Sequence, residues 1–267
     1  LDLARGRLIA RMDADDRALP ERFARQVALL DAQPEVGLCG TWVETIGDPA
    51  GEVWDFPADD ARIRCRLLFE TVLPHSTVMF RRDVFEAAGL RYDPAFTYAQ
   101  DYDLWVRAAQ HTRLANVPEV LLHYRVHPTQ IGTARQAQQF AFAARVQRRQ
   151  IERLGVTPSE DDMALHGALA RWQVEPTARA LRCASLWLAT LQRANRAAGI
   201  YPEPVFTEVL EDRWWHAYRA GSMRGIGRCV VLARSPFEWR GPEPWSARRR
   251  MALRCARDHL IARAKDR

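Results

Sequence analysis

The chain has the length and composition of a globular protein. It contains 267 residues, of which 48% are hydrophobic and 27% are charged, and these values exclude a disordered tail, a collagen-like chain and a coiled-coil rod. No stretch approaches the roughly 18 consecutive apolar residues that a membrane-spanning helix needs. The charge is uneven, because residues 1–134 contain 15 Arg or Lys and 20 Asp or Glu, whereas residues 135–267 contain 24 and 13. We therefore expect two functional regions, one acidic and one basic.

The cysteines indicate a reducing compartment. An odd number of cysteines without paired spacing fits neither a disulfide framework nor a zinc site. The five are Cys39, Cys65, Cys183, Cys229 and Cys255. The first residue is Leu1 rather than Met, so we expect the chain to begin inside a longer protein.

The first half of the chain alternates between strand and helix patterns. A short apolar strand is predicted over 7–12. A helix begins at Pro20, a residue favoured in the first turn, and Phe23, Val27 and Leu30 are predicted to form its apolar face. The elements predicted after it are one or two strands over 36–46, a returning strand at 53–54, a helix over 61–69, a strand over 76–80, a short helix ending at Gly89, a helix over 101–109, and strands over 113–117 and 120–125. This alternation favours an α/β domain.

After Pro128 the strand patterns nearly disappear. The second half is predicted to be all-α, with helices over 133–154, 160–172, 177–198, 204–220 and 245–264. We therefore predict a domain of residues 1–131 followed by a basic helical region of residues 132–267.

The acidic sequence Asp13-Ala14-Asp15-Asp16 is the first candidate for chemistry. An extended strand places Asp13 and Asp15 on the same face, and two such close carboxylates repel each other unless a cation lies between them. Oxygen ligands of this kind suit Mg²⁺ or Mn²⁺. A solvated turn that caps the next helix explains the same residues, and both interpretations stay open.

Three further positions combine a chemically useful side chain with the end of a predicted element. Asp101 begins a helix, where a carboxylate caps the helix or acts as a general base. Arg125 and His127 are two residues apart at a strand end and point the same way; Arg suits phosphate, and neutral His suits a metal. His75 precedes a strand, where it either contacts a ligand or has a structural role.

These motifs, in this order and spacing, resemble family 2 glycosyltransferases with the GT-A fold. The resemblance rests on residues 11–16, 19–22, 34–37, 75–82, 99–107 and 124–127. It covers roughly residues 1–130 and leaves the residues after about 135 without a named relative. The fold class that it implies is α/β, a partial GT-A (Rossmann-like) domain followed by an all-α region. The resemblance also implies that the N-terminal part of the nucleotide-binding half is missing.

The resemblance implies a divalent metal, Mg²⁺ or Mn²⁺, bound by Asp15 and His127. It further implies that Asp13 lies near the nucleoside and that Arg125 contacts the diphosphate of a nucleotide-sugar donor. Asp101 matches the catalytic base, His75 the donor and acceptor pocket, and Gly89 a glycine before the loop of the base. One base and an in-line displacement would invert the anomeric configuration.

The partners implied by the resemblance are a nucleotide-sugar donor and a glycan or lipid-linked acceptor. We expect a cytoplasmic protein at the inner face of the membrane, with helix 245–264 as a basic interfacial helix. The alternative is an inactive remnant or a non-catalytic binding module. Its binding surface would consist of Trp214, Trp215, Trp239, Trp245 and Arg248, Arg249 and Arg250. No recognised DNA or RNA motif is present, so no nucleic acid partner is expected.

Overall fold

The computed structural model of the protein describes residues 3–126 and 135–220. The chain divides into two compact units, Leu1–Gln147 and Arg148–Arg267. The predicted boundary at residues 131 and 132 lies outside the described residues. The predicted fold class is confirmed, because a mixed sheet with helices makes up the first unit and helices make up the described part of the second.

A six-stranded mixed sheet forms the centre of the first unit. In the path β1-β5-β3-β6-β2, β4 pairs with β3 at one side, and only the pairing of β3 with β6 is parallel within the described residues. The strands are β1 (Leu8–Ala10), β2 (Arg17–Ala18), β3 (Val36–Gly47), β4 (Val53–Trp54), β5 (Met79–Arg81) and β6 (Arg113–Val126). The helices of this unit are α1 (Arg22–Ala32), α2 (Asp60–Arg66), α3 (Arg82–Ala87), α4 (Gln100–Ala108) and the first part of α5 (Gln136–Arg153).

The strand β6 is continuous where two strands were predicted. It pairs with β3 from Val36 opposite Arg113 to Gly47 opposite Val126, and the register shifts between Thr41 and Trp42. Their partners there are Val117 and Val120, so residues 118 and 119 are skipped. Residue 118 is proline, which cannot donate to a ladder, and a bulge accommodates it without ending the strand.

The segment predicted as a strand over 76–80 is only partly extended. His75–Thr77 forms a single 3₁₀ turn, and the strand β5 begins afterwards at Met79. The turn is closed by the Thr77 hydroxyl, which donates to the carbonyl of Pro74 at 2.7 Å. The turn places His75 outside the sheet while the following residues pair with β1 and β3.

The buried face of α1 differs from the prediction. Phe23 is 54% exposed, whereas Arg22 and Gln26 are fully buried beside Leu30. These three are spaced four residues apart and therefore share one face of the helix. Polar side chains occupy this face because backbone carbonyls below it accept their hydrogen bonds.

An apolar cluster packs one face of the sheet against α4. Trp105 is fully buried and donates its indole N–H to the Leu73 carbonyl at 3.2 Å. Phe80 and Phe85 stack with ring centroids 4.1 Å apart. Each such buried side chain contributes about 1.5–3 kcal/mol, and this packing fixes the helix that carries Asp101 against the sheet.

The second unit packs helices around a core of large aromatic residues. Its helices are the end of α5, α6 (Glu160–Ala170), α7 (Ala178–Ala198) and α8 (Val205–Ala220). Trp214 and Trp215 are 3% and 4% exposed, so the expectation that they lie on a binding surface is wrong. They form part of the core, where Trp214 stacks with Tyr218 and Trp215 contacts Tyr218 edge-on. Trp239, Trp245, the 248–250 arginines and helix 245–264 lie outside the described residues. In the described part of the chain, no helix is long and apolar enough to cross a bilayer.

Candidate active site

Residues 13–16, the acid turn, connect β1 with β2. Asp13 forms an ion pair with Arg11 at the end of β1. The side chains of Asp13 and Arg11 are 35% and 29% exposed, so the pair lies at the edge of the fold and not within its core. These residues form a bend, but they do not cap the next helix, because the residue before α1 is Glu21 and no side-chain cap is present there. Asp16 is also buried rather than solvated, and neither finding excludes a ligand above the acid turn.

Arg125 binds the acid turn from the end of β6. Its side-chain Nε donates to the Asp15 carbonyl at 2.9 Å, and its backbone N–H donates to Asp16 Oδ1 at 2.8 Å. Asp16 is buried, which raises its pKa, and the negative charges of Asp15 and Asp13 act in the same direction. The nearby hydroxyl of Ser76 lowers that pKa, although its geometry falls short of a hydrogen bond. Two residues far apart in sequence, Asp15 and Arg125, are thus brought together as the motifs predicted.

His75 lies in a half-buried aromatic setting. Its Nε2 is 2.8 Å from the Tyr92 hydroxyl, and its ring contacts those of Tyr92 and Trp105 edge-on. Burial lowers the pKa of His75, while the charge of Asp101 opposes that shift. The imidazole is therefore neutral near pH 7 and orients its hydrogen bond without adding charge. Sequence reasoning did not select Tyr92, because a tyrosine within a loop carries no periodic signal.

Asp101 lies in the first turn of α4. Its charge acts on His75 and Tyr124, as the charge of Asp13 in the acid turn does. The residue before the helix, Ala99, has a left-handed backbone with φ of 53°. Such a conformation in a residue other than glycine costs about 1–2 kcal/mol and is typical of functional segments. The exposed amide groups of a helix N-terminus stabilise a carboxylate there.

The pKa of Tyr124 responds to all the predicted carboxylates. Burial raises its pKa, and the charges of Asp16, Asp13, Asp15 and Asp101 raise it further. The charges of four carboxylates from two separate segments thus act on one phenol. The contact of the His75 ring with Trp105, one turn after Asp101 on α4, links that helix to the same region. The candidate site therefore consists of the acid turn, Arg125, His75 and Asp101.

Gly89, another predicted site residue, has a structural explanation of its own. Gly89 ends α3 with φ of +61°, and a Cβ there would meet no atom within 4 Å. The Leu90 N–H donates to the Phe85 carbonyl at 2.8 Å, as in a Schellman motif. The helix end alone explains this glycine, and its role toward a substrate stays a prediction. His127 lies outside the described residues.

The acid turn suits a cation that is shared with a ligand better than a closed metal site. Among residues 3–126 and 135–220, no three His, Cys, Asp or Glu side chains are grouped to hold a metal ion. The Asp15 side chain is exposed, and Asp16 Oδ2 is buried without a hydrogen-bond partner. Mg²⁺ is usually bound through one or two carboxylates together with water and substrate phosphates. The donors present fit that mode of binding.

The first third of the chain is similar to a known protein family. Residues 1–89 match glycosyl transferase family 2. The amylovoran biosynthesis glycosyltransferase AmsE of Erwinia amylovora is 32% identical over 130 residues, 48% of this chain and 48% of that protein. The O-antigen biosynthesis glycosyltransferase WbnJ of Escherichia coli is 33% identical over 125 residues, 45% of this chain and 48% of that protein. These findings confirm the resemblance.

The chain spans about half the length of the curated relatives that it matches. Among solved structures, S. aureus TarS 1-349 in complex with UDP-GlcNAc aligns with a TM-score of 0.45 and 14% identity, over 91% of this chain and 76% of that one. At this score the likeness carries no argument about substrates.

Proposed function

We propose that this chain is a family 2 glycosyltransferase that transfers a sugar from a nucleotide-diphosphate sugar to an acceptor hydroxyl with inversion at the anomeric carbon. The observation that supports the proposal is the set of contacts that joins the motifs: Arg125 donates to Asp15 and Asp16 of the acid turn, and the His75 ring contacts Trp105, one helical turn after Asp101. The Arg11 N–H, two residues before Asp13, donates to the Val78 carbonyl just after the His75 turn at 2.9 Å. The family match over residues 1–89 supports the donor class.

The acid turn and Arg125 would bind the diphosphate end of the donor. Asp15 would bind a divalent cation, Mg²⁺ or Mn²⁺, and the predicted second ligand is His127. When bound, such a cation supplies positive charge that stabilises the leaving diphosphate. The Arg125 guanidinium, oriented by the Asp15 carbonyl at 2.9 Å, adds a second positive group suited to phosphate oxygens. Asp13 would face the nucleoside side.

Asp101 would act as the general base. It removes the proton of the acceptor hydroxyl while that oxygen bonds to the anomeric carbon, and the bond from that carbon to the diphosphate breaks on the opposite face. The electron pair leaves with the diphosphate, and the proton stays on Asp101. His75, neutral and fixed by Tyr92, would donate or accept a hydrogen bond to the sugar in the same pocket.

The test uses donor turnover, because the acceptor is unidentified. The whole protein is incubated with a panel of UDP-, GDP- and dTDP-sugars with Mn²⁺ or with EDTA, and the released nucleoside diphosphate is measured. Asp15→Asn should abolish the effect of Mn²⁺, while the control Asp31→Asn removes an exposed carboxylate of a surface ion pair and should behave as wild type. Turnover unaffected by EDTA would contradict the metal, and no turnover or binding of any donor would contradict the transferase.

We also propose that the protein acts at the cytoplasmic face of a membrane, on a glycan or lipid-linked acceptor of envelope polysaccharide synthesis. The names of AmsE and WbnJ, which refer to amylovoran and O-antigen biosynthesis, support this class of acceptor. The helix α7 supports the membrane contact, because it contains four arginines and no acidic residue. They are Arg179, Arg182, Arg193 and Arg196, all exposed.

The arginines of α7 form a stripe suited to anionic headgroups. Arg179, Arg182 and Arg193 lie on the same side of the helix as Leu186, an apolar side chain that is 53% exposed. None of the ion pairs within the described residues involves these arginines. Each basic residue near an anionic surface contributes about 1 kcal/mol at physiological salt, and salt screens this attraction.

Vesicle flotation tests the membrane contact. Wild type should float with vesicles containing phosphatidylglycerol at low salt and not with neutral vesicles. Arg182→Gln combined with Arg193→Gln should weaken flotation, while Arg25→Gln combined with Arg113→Gln, which removes the same charge from surface ion pairs, should not. Equal loss in both double variants would contradict a specific stripe.

A further inference from the structure

A buried polar pair on α1 lies beneath the candidate site. Arg22 and Gln26 are fully buried, one turn apart on the face that contacts the sheet. The Arg22 guanidinium donates from Nε to Gln26 Oε1 at 3.1 Å. Charged residues are rarely buried unless several hydrogen bonds compensate the loss of water, so the partners of this pair show what its burial achieves.

The two side chains connect the segments before the acid turn and around His75. Arg22 Nη2 donates to the Arg11 carbonyl at 2.8 Å, and Nη1 approaches Met12 Sδ at 3.2 Å. Gln26 Nε2 donates to the Thr77 carbonyl at 2.8 Å. A continuous chain of hydrogen bonds therefore runs from the residue before Asp13 to the turn that begins with His75.

Arg22 keeps its positive charge although its side chain is buried away from water. Burial lowers the pKa of Arg22 to about 10, and Cys39 and Asp16 act against that shift. The group is thus still protonated at neutral pH, and Asp16 is a carboxylate whose charge favours that state. An apolar residue of similar size would fill this position without the desolvation penalty, so packing alone does not explain an arginine here.

We infer that Arg22 and Gln26 are positioning residues, which fix the acid turn and the His75 turn relative to each other. This inference rests on the proposed function. Neither residue contacts the reacting atoms; both act through Arg11, Met12 and Thr77. The consequence is that the donor site loses its geometry when the pair is broken, even if the fold persists.

The test combines amide hydrogen exchange with donor kinetics in the whole protein. Arg22→Met should raise exchange in residues 11–16 and 75–78 at least tenfold, and raise the Mn²⁺ concentration for half-maximal donor turnover and the donor KM by at least tenfold. Arg22→Lys keeps the charge but cannot reproduce the fork of three contacts, so it should restore these values only in part. Gln26→Glu keeps the acceptor for Arg22 and loses the donor to Thr77, so increased exchange should be confined mainly to 75–78.

The matched control is Arg213→Met in the second unit. Arg213 is also buried and donates to the carbonyls of Leu169 and Ala170. This variant should lower the melting temperature without changing exchange in the two turns or the donor KM. If Arg22→Met resembles Arg213→Met in all these readouts, Arg22 is merely structural and the inference is wrong. If no donor is turned over by wild type, the proposed function fails, while the exchange pattern still decides whether the pair positions the turns.

Discussion

Two neighbouring aspartates on α4 allow catalysis and stability to be separated. Asp101 is partly exposed toward the candidate site, while Asp103 is 2% exposed and accepts from Arg107 at 2.8 Å. Asn differs from Asp by one charge and almost no volume. Asp101→Asn therefore removes a negative charge from a partly exposed side chain, and Asp103→Asn removes one from a buried side chain. We predict that the first impairs turnover and the second impairs folding.

The expected magnitudes follow from the two environments. General base catalysis contributes about 10²–10⁴ in rate, so Asp101→Asn should lower kcat by that factor with donor KM nearly unchanged. Its only expected effect on stability is the loss of a charge at a helix N-terminus, about 0.3–1 kcal/mol. Asp103→Asn leaves a partly buried guanidinium without its carboxylate, and the loss of a charged hydrogen bond is about 1–3 kcal/mol in the free energy of unfolding.

The assay measures donor turnover by released nucleoside diphosphate, and stability by urea denaturation. Asp103→Asn should keep wild-type kcat under conditions where it is folded. The reasoning is refuted if Asp101→Asn retains more than about a tenth of the wild-type kcat. It is also refuted if Asp101→Asn destabilises the protein more than Asp103→Asn does.

Three further outcomes can be checked by denaturation. The pKa of His75 is lowered from its usual value of 6.5, so its protonation opposes folding; the unfolding free energy should fall as pH drops below 6.5, and His75→Gln should flatten that fall. Gly89→Ala should lose about 1 kcal/mol because of its left-handed backbone; a raised donor KM would decide in favour of the predicted substrate contact. Trp214→Ala should lose about 3–5 kcal/mol, and unchanged stability would contradict its burial in the core of the second unit.

The sequence predicted the elements of the first unit well because strand and helix periodicities are local. The strand before the acid turn, the return at Val53 and Trp54, and the helix carrying Asp101 all lie near their predicted bounds. It also predicted which motifs belong together, through the order of the family resemblance. The convergence of Asp15 with Arg125 then follows from the sheet topology.

The errors arose where tertiary contacts override local pattern. Phe23 fits an apolar helical face, but the carbonyls of Arg11 and Thr77, next to β1 and β5, accept hydrogen bonds from Arg22 and Gln26, so this polar face is buried instead. The adjacent Trp214 and Trp215 were predicted to lie on a surface, yet both are buried. They belong to a core to which the neighbouring helices α6 and α7 also contribute. Neither outcome can be deduced from spacing within one element.

The strand order sets the length of the acid turn. β1 and β2 are at opposite ends of the path β1-β5-β3-β6-β2, and only residues 11–16 separate them. Four strand spacings amount to at most about 19 Å across the sheet, and seven Cα steps reach at most about 25 Å. The connection therefore has little slack. Removing two residues would leave a reach of at most about 18 Å and would pull β2 out of register with β6, whereas surface loops elsewhere tolerate such changes. The width of the sheet therefore limits how far the segment that carries the carboxylates can be shortened.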